Sequence, residues 1–178
     1  MIKSRAMLKL LLLALCLFSS ATHAGGVYLE PQQFLAQSFD GKPPKASVLW
    51  LNKALRQQLQ DILQHHYQGL RVRYWRDGRR TAWILDEIGK TEPITTGVVI
   101  NDGRIEQIRV LVFRESRGWE VRHDFFTKQF EQATLAGDGQ LDRNIDNISG
   151  ATLSVRALTK LARVALLLHQ TVMQKAPS

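Results

Sequence analysis

The chain has 178 residues, 44% of them apolar and 22% charged, a balance that describes one globular domain able to bury a core and excludes a disordered polyelectrolyte. Its formal charge of +8 brings nucleic acid and anionic membrane into view as partners. Three of those cations, Lys3, Arg5 and Lys9, stand in a leader-like segment, so the remainder is only mildly basic.

Residues 1–24 read MIKSRAMLKLLLLALCLFSSATHA: a basic start, an apolar run from Leu10 to Phe18, a Ser-rich stretch and small residues approaching Ala24. This is the three-part pattern of a secretory signal peptide, and cleavage after Ala24 is expected, with the product delivered to the periplasm. The apolar run is about half of the roughly 20 residues that a membrane helix needs. Leu15 precedes Cys16, where a lipoprotein signal has a small residue, so lipidation is not expected. With the single cysteine removed, disulfides, thiolate metal sites and thiol nucleophiles are excluded from the exported chain.

Beyond the leader, Pro31 to Ser38 fits a short helix with proline in its first turn. Asp40 to Ala46 is a turn-rich break, and Val48 to Leu51 a short apolar run. Asn52 then caps a predicted amphipathic helix whose apolar side is Leu55, Leu59, Ile62, Leu63 and His66. From Leu70 the period shortens to two: Val72 and Tyr74 alternate with Arg71, Arg73 and Trp75, Asp77-Gly78 supplies a turn, and Thr81 to Leu85 returns. A second hairpin runs from Gly97 to Ile100, turns at Asn101-Asp102-Gly103, and comes back from Arg104 to Phe113 with Ile108, Val110 and Val112 on one face. Four antiparallel strands are predicted. Asp124 to Phe130 fits another short helix, and Gly137-Asp138-Gly139 a loop. A long helix from about Ser154 to Met173 closes the chain, apolar along Leu158, Leu161, Ala162, Ala165, Leu168 and Val172. The expected class is α+β, an antiparallel sheet of hairpins packed with helices, in one compact domain over residues 25–178.

The segment with chemical potential is Asp146-Asn147-Ile148-Ser149-Gly150-Ala151-Thr152, just ahead of the long helix. Gly150 permits a close backbone approach or a positive φ, Ser149 and Thr152 present hydroxyls, and the helix start offers unpaired N–H groups with the positive end of its dipole. Such a place suits a phosphate. Arg156 and Lys160, one turn apart, add positive charge nearby; the bland alternative is a helix-start loop beside a solvated cationic face.

The order of these residues decides between the two, because DNISGATLS resembles the flavinylation motif of the FMN-binding domain family: aspartate, two variable residues, Ser or Thr, Gly, Ala, then an acceptor threonine. The similarity runs over about Thr96 to Leu168, through Gly97-Val98-Val99-Ile100, the Asn101 to Ile105 turn and the last helix. The family includes peripheral subunits of the sodium-translocating NADH:quinone reductase and of the Rnf complex, and exported single-domain flavoproteins. The resemblance implies that FMN is joined through its phosphate to the Thr152 hydroxyl by a magnesium-dependent FAD:protein FMN transferase, which releases AMP. It further implies a cofactor site of Asp146, Ser149, Gly150, Ala151 and Thr152, with Arg156 beside the phosphate. Residues 93–178 would be the FMN-binding core, and 25–92 an N-terminal helix and hairpin region matching no family motif. Where the respiratory subunits carry Glu-Thr-Pro-Gly-Leu-Gly, this chain has Glu115-Ser116-Arg117-Gly118-Trp119-Glu120, so Glu115, Ser116, Gly118 and Trp119 are further candidates.

Trp119 is expected either to stack on the flavin or to cap the core, and Glu115 either to meet the flavin side or to be a surface carboxylate. His65-His66 lacks a third ligand at metal-site spacing. Arg71, Arg73, Arg76, Arg79 and Arg80 around Trp75 look like a nucleic-acid patch. Export argues against nucleic acid and leaves an acidic redox partner, lipid head groups or a plain solvated face. The function implied is that of an electron carrier between a reductant and a membrane or periplasmic acceptor. The alternatives are an exported adaptor without flavin and a reductase with loosely bound FMN.

Overall fold

The structure is a computed structural model and describes residues 26–175. The expected signal segment and its cleavage point lie outside these residues. Six strands form one antiparallel sheet: β1 (Gly26–Val27), β2 (Ser47–Trp50), β3 (Arg71–Asp77), β4 (Arg80–Ile88), β5 (Pro93–Asn101) and β6 (Arg104–Phe113). Their spatial order is β1-β6-β5-β4-β3-β2. The helices are α1 (Pro31–Ser38), α2 (Lys53–Leu63), α3 (Asp124–Thr127) and α4 (Thr152–Lys175), with short 3₁₀ turns at Trp119–Arg122 and Lys128–Phe130. The α+β class is as expected.

Both hairpins follow from turn chemistry. Asp102 and Gly103 have φ of 52° and 77°, the two positive values of a type I′ turn, which matches the twist of β5 and β6. At the other hairpin Asp77 pairs with Arg80, so the turn is Gly78-Arg79, one residue beyond the expected Asp77-Gly78. Two strands escaped the periodicity. β1 has only two residues, and β2 only four, of which Leu49 alone is buried; both are edge strands too short to show alternation.

One large core lies between the sheet and α2, α4 and the short helices, with Trp83, Ile94, Val98, Ile108 and Phe113 from the strands meeting Leu59, Leu158, Leu161 and Leu168. A smaller one lies on the opposite face, where Phe34, Leu35 and Phe39 at α1 cover Ala82, Val99 and Leu111. Ile108 and Val110 belong to the large core as expected, but Val112 does not; it packs with Leu111 in the smaller one. The cause is a register shift in β6 opposite Thr95 and Thr96, which inserts Leu111 and exchanges the faces of the residues beyond it. The same irregularity returns Phe113 to the large core.

The Asn52 side chain accepts a hydrogen bond from the Leu55 N–H at 2.8 Å and caps α2 as predicted. The helix ends earlier than its apolar pattern suggested, at Leu63, because Gln64 turns left-handed with φ 62°. His66 is therefore exposed beyond the helix and not on its apolar side. Helix α4 begins at Thr152, two residues before the expected start, and its 24 residues span about 36 Å.

Candidate functional site

Gly150 has φ 83°, and a Cβ there would meet nothing within 4 Å, so of its two possible roles the backbone conformation is the one it serves. The turn it closes is fixed by the Ala151 N–H donating to the Ile148 carbonyl at 2.9 Å. Helix α4 starts immediately after it. The Val155 N–H donates to the Ala151 carbonyl at 3.0 Å, the first bond of the helix, so the N–H groups of Thr152, Leu153 and Ser154 precede the ladder. No acidic residue occupies this first turn. The helix start therefore presents unneutralised positive dipole to whatever sits on Thr152.

Thr152 is partly exposed, and its Oγ1 accepts a hydrogen bond from Asn147 Nδ2 at 3.0 Å. The motif thus contains its own positioning contact, between its second and seventh residues. Asp146 and Ser149 are exposed; the Asp146 N–H donates to Gln129 Oε1 at 2.7 Å, which ties the motif to the 3₁₀ turn below.

Two cavities meet at Thr152. The first, about 540 Å³, is lined by Gly150 to Ser154 on one side and by Lys90, Glu115, Ser116 and Arg117 on the other. The second, about 690 Å³, opens towards α2 and holds Asn147, Arg156, Lys160 and Arg163 among its lining. Lys90, Arg117 and Asn147 were not singled out in the sequence. Nothing in the spacing of Lys90 or Arg117 marks them, whereas Asn147 lay within the motif.

The Glu115 to Trp119 segment is brought to the helix start by Gly118. Its φ is 84°, and a Cβ on it would lie 2.6 Å from Ser154 Oγ and 3.4 Å from Ala151, so only glycine lets the two loops touch. Glu115 is 4% exposed and so not a surface carboxylate, and it is among the residues lining the first cavity. Its Oε1 accepts from the N–H groups of Lys90, Thr91 (2.6 Å) and Glu92 (2.9 Å), and its Oε2 from the Thr91 hydroxyl at 3.3 Å. Burial pushes its pKa up, but these hydrogen bonds outweigh burial and hold the carboxylate below its ordinary value. Glu115 thus builds the cavity wall by folding the β4–β5 turn around itself.

Trp119 does not cap the core. It is 37% exposed, with its ring against the edge of His123 and beneath the Arg122 guanidinium, while Val121 enters the core instead. Arg156 and Lys160 share the second cavity with Thr152, but Lys160 is engaged with the Leu63 carbonyl at 2.5 Å and with Glu87 at 3.2 Å. His65 belongs to the same group, its Nε2 2.9 Å from the buried Glu87 carboxylate. The hydrogen bond that His65 Nε2 donates to Glu87 is the largest influence on His65 and raises its pKa above 6.5.

Along the arginine hairpin, Arg80 pairs with Glu106 at 3.0 Å, Arg79 pairs with Asp102, and Arg71 lies over the Trp50 ring. Trp75 packs against the α1 side and is not an exposed stacking platform. Among the described residues no helix is long and apolar enough to cross a membrane.

A helix start free of acidic residues, a reachable hydroxyl on its first residue and an adjoining cavity together define a site for a phosphate-bearing ligand. Residues 89–167 match the model of the FMN-binding domain family. The match includes the β4–β5 turn, both walls of the first cavity and most of α4. No curated protein and no solved structure matched the chain.

Proposed function

We propose that this protein is an exported electron carrier with FMN attached covalently through its phosphate to Thr152. The observation that carries the reading is the position of the Thr152 hydroxyl: on the first residue of α4, held by Asn147, and on the rim of a cavity of about 540 Å³. That volume lies within the roughly 300–1,000 Å³ of small-molecule sites, and its wall carries Lys90 and Arg117. The residues present therefore fit the group. The N–H groups of Thr152, Leu153 and Ser154 and the dipole of α4 would hold the phosphate, and Ser116 and Arg117 would face the remainder of the cofactor. Bound FMN supplies one- and two-electron redox chemistry, while the protein supplies position and electrostatics.

Loading requires a partner enzyme, an FAD:protein FMN transferase. In that reaction Thr152 Oγ1 attacks the FMN-side phosphorus of FAD, the pyrophosphate bond breaks, AMP leaves, and the hydroxyl proton passes to solvent or to a base of the transferase. The Asn147 amide donates to Oγ1 and so fixes the oxygen without competing for that proton. Ser154 is no substitute, since its hydroxyl is buried in the contact region of Gly118. The signal-like residues 1–24 support delivery to the periplasm, where a membrane or soluble redox protein would exchange electrons with the flavin.

Co-expression with an active transferase in an exporting host tests the reading. Flavin is expected to stay on the chain through acid denaturation, to map to Thr152, and to disappear in Thr152→Ala. Flavin released on denaturation would mean a loosely bound cofactor, and a colourless protein would remove the assignment.

A further inference from the structure

The second cavity shares only Thr152 with the first, and it is the more strongly charged of the two. Its lining holds Arg143, Arg156, Lys160 and Arg163 against one carboxylate, Asp61. Arg156, Lys160 and Arg163 are at spacings of four and three residues, so they form a stripe on one side of α4 that begins one turn after Thr152.

Two of the four cations have carboxylate partners, Lys160 with Glu87 and Arg143 with Asp142 at 3.1 Å. Arg156 and Arg163 have none among the described residues. Arg163 is half-buried, its guanidinium fixed by the Gly139 carbonyl at 2.6 Å, and burial lowers its pKa. The Asp138 carboxylate offsets part of that cost from a distance but forms no ion pair with Arg163, so an anion in the cleft would complete the charge pairing of a partly desolvated guanidinium. Neutral donors and acceptors border the same space: the side chains of Gln140, Asn144 and Asn147.

We propose that the cleft lined by Arg156, Lys160 and Arg163 is a second binding site, for a small multiply charged anion of the phosphate or carboxylate type, seated on the side of Thr152 opposite Ser116. Arginine's planar fork suits both oxyanion classes, and Lys160 between the two arginines adds a point charge. The proposal is independent of flavin attachment, because the cations are in place whether or not Thr152 is modified. Where FMN is attached, a ligand here reaches the attachment residue through Asn147 and is placed to affect loading or the flavin's electrostatic surroundings.

The test uses the unflavinylated chain and its Thr152→Ala variant, so a failure of flavin loading leaves it untouched. Calorimetric titration with inorganic pyrophosphate and, separately, with citrate distinguishes phosphate from carboxylate as the preferred chemistry. Binding of at least one probe is expected, retained in Thr152→Ala and weakened by added salt. Arg156→Gln and Arg163→Gln should each weaken it by about tenfold or more, the scale of a lost charge-assisted hydrogen bond. Arg73→Gln, on the far side of the sheet, should leave it unchanged. Absence of binding for both probes, or binding that survives both α4 substitutions or falls equally with Arg73→Gln, would overturn the proposal.

Discussion

Glu115 illustrates how one buried charge shapes the wall of a cavity. Three backbone N–H groups converge on its Oε1, and all three belong to the Lys90–Glu92 turn that faces the helix start. Its depressed pKa ties that turn to pH. Unfolded chains bind this proton near the ordinary value of 4.5 and the folded chain only below it, so the stabilisation is complete above 4.5 and is lost as pH falls through the lower, folded value. Glu115→Gln keeps the shape but loses the charge and sets an NH₂ group among N–H donors; a loss of about 1–3 kcal/mol is expected in urea unfolding at neutral pH. The variant should also lose part of the acid dependence below pH 4.5. A variant as stable as the parent at neutral pH would show that the three N–H groups find other acceptors.

At the scale of elements, α2 was legible at its start and misread at its end. Asn52 is a good N-cap and precedes a clear apolar period, so the capping bond could be foreseen. The left-handed Gln64 has no such signal, because nothing local distinguishes it from another helical residue; the chain turns there so that His65 reaches Glu87 on β4. Asn52→Ala should cost about 1 kcal/mol, seen as a lower midpoint in thermal or urea unfolding with an unchanged far-UV spectrum. An unaltered midpoint would mean that packing of Leu55 and Leu59 alone sets the helix start. In β6 the alternation of Ile108, Val110 and Val112 was visible, but the inserted Leu111 was not. A bulge is a relation between two strands, and one strand's period does not contain it.

Across the whole molecule, His169 near the end of α4 joins segments that are far apart in the chain. Its Nε2 accepts from the Gly103 N–H at 3.2 Å, so the neutral ring carries its proton on Nδ1 and donates it to Thr81 Oγ1 at 2.8 Å. Thr81 Oγ1 also accepts from Trp83 Nε1 at 2.9 Å. Burial, reinforced by Arg76, lowers the His169 pKa from 6.5 to about 4. Between these values the unfolded chain binds the proton and the folded chain does not, so stability is full above pH 6.5 and declines by about 3 kcal/mol as pH falls to about 4. His65 works in the opposite sense, its raised pKa giving stability that is lost as pH rises through it. His169→Gln should be less stable at neutral pH and should flatten the decline between 6.5 and 4; an unchanged slope would place the acid sensitivity elsewhere.

What the sequence by itself determined was local or carried in a contiguous motif. Hairpin turns, the α2 cap, the apolar side of α4 and the DNISGAT segment each depend on residues within a few positions of one another, where turn chemistry, capping and period act directly. The tertiary structure decided the contacts that join segments distant in the chain: Glu115 folding a turn more than twenty residues away, Lys90 and Arg117 entering the cavity, Lys160 meeting Glu87, and Trp119 left at the surface while Val121 is buried. The physical reason is that charge pairing, desolvation and packing depend on distance in space, and that distance is set only once the sheet has assembled and α4 has docked on it.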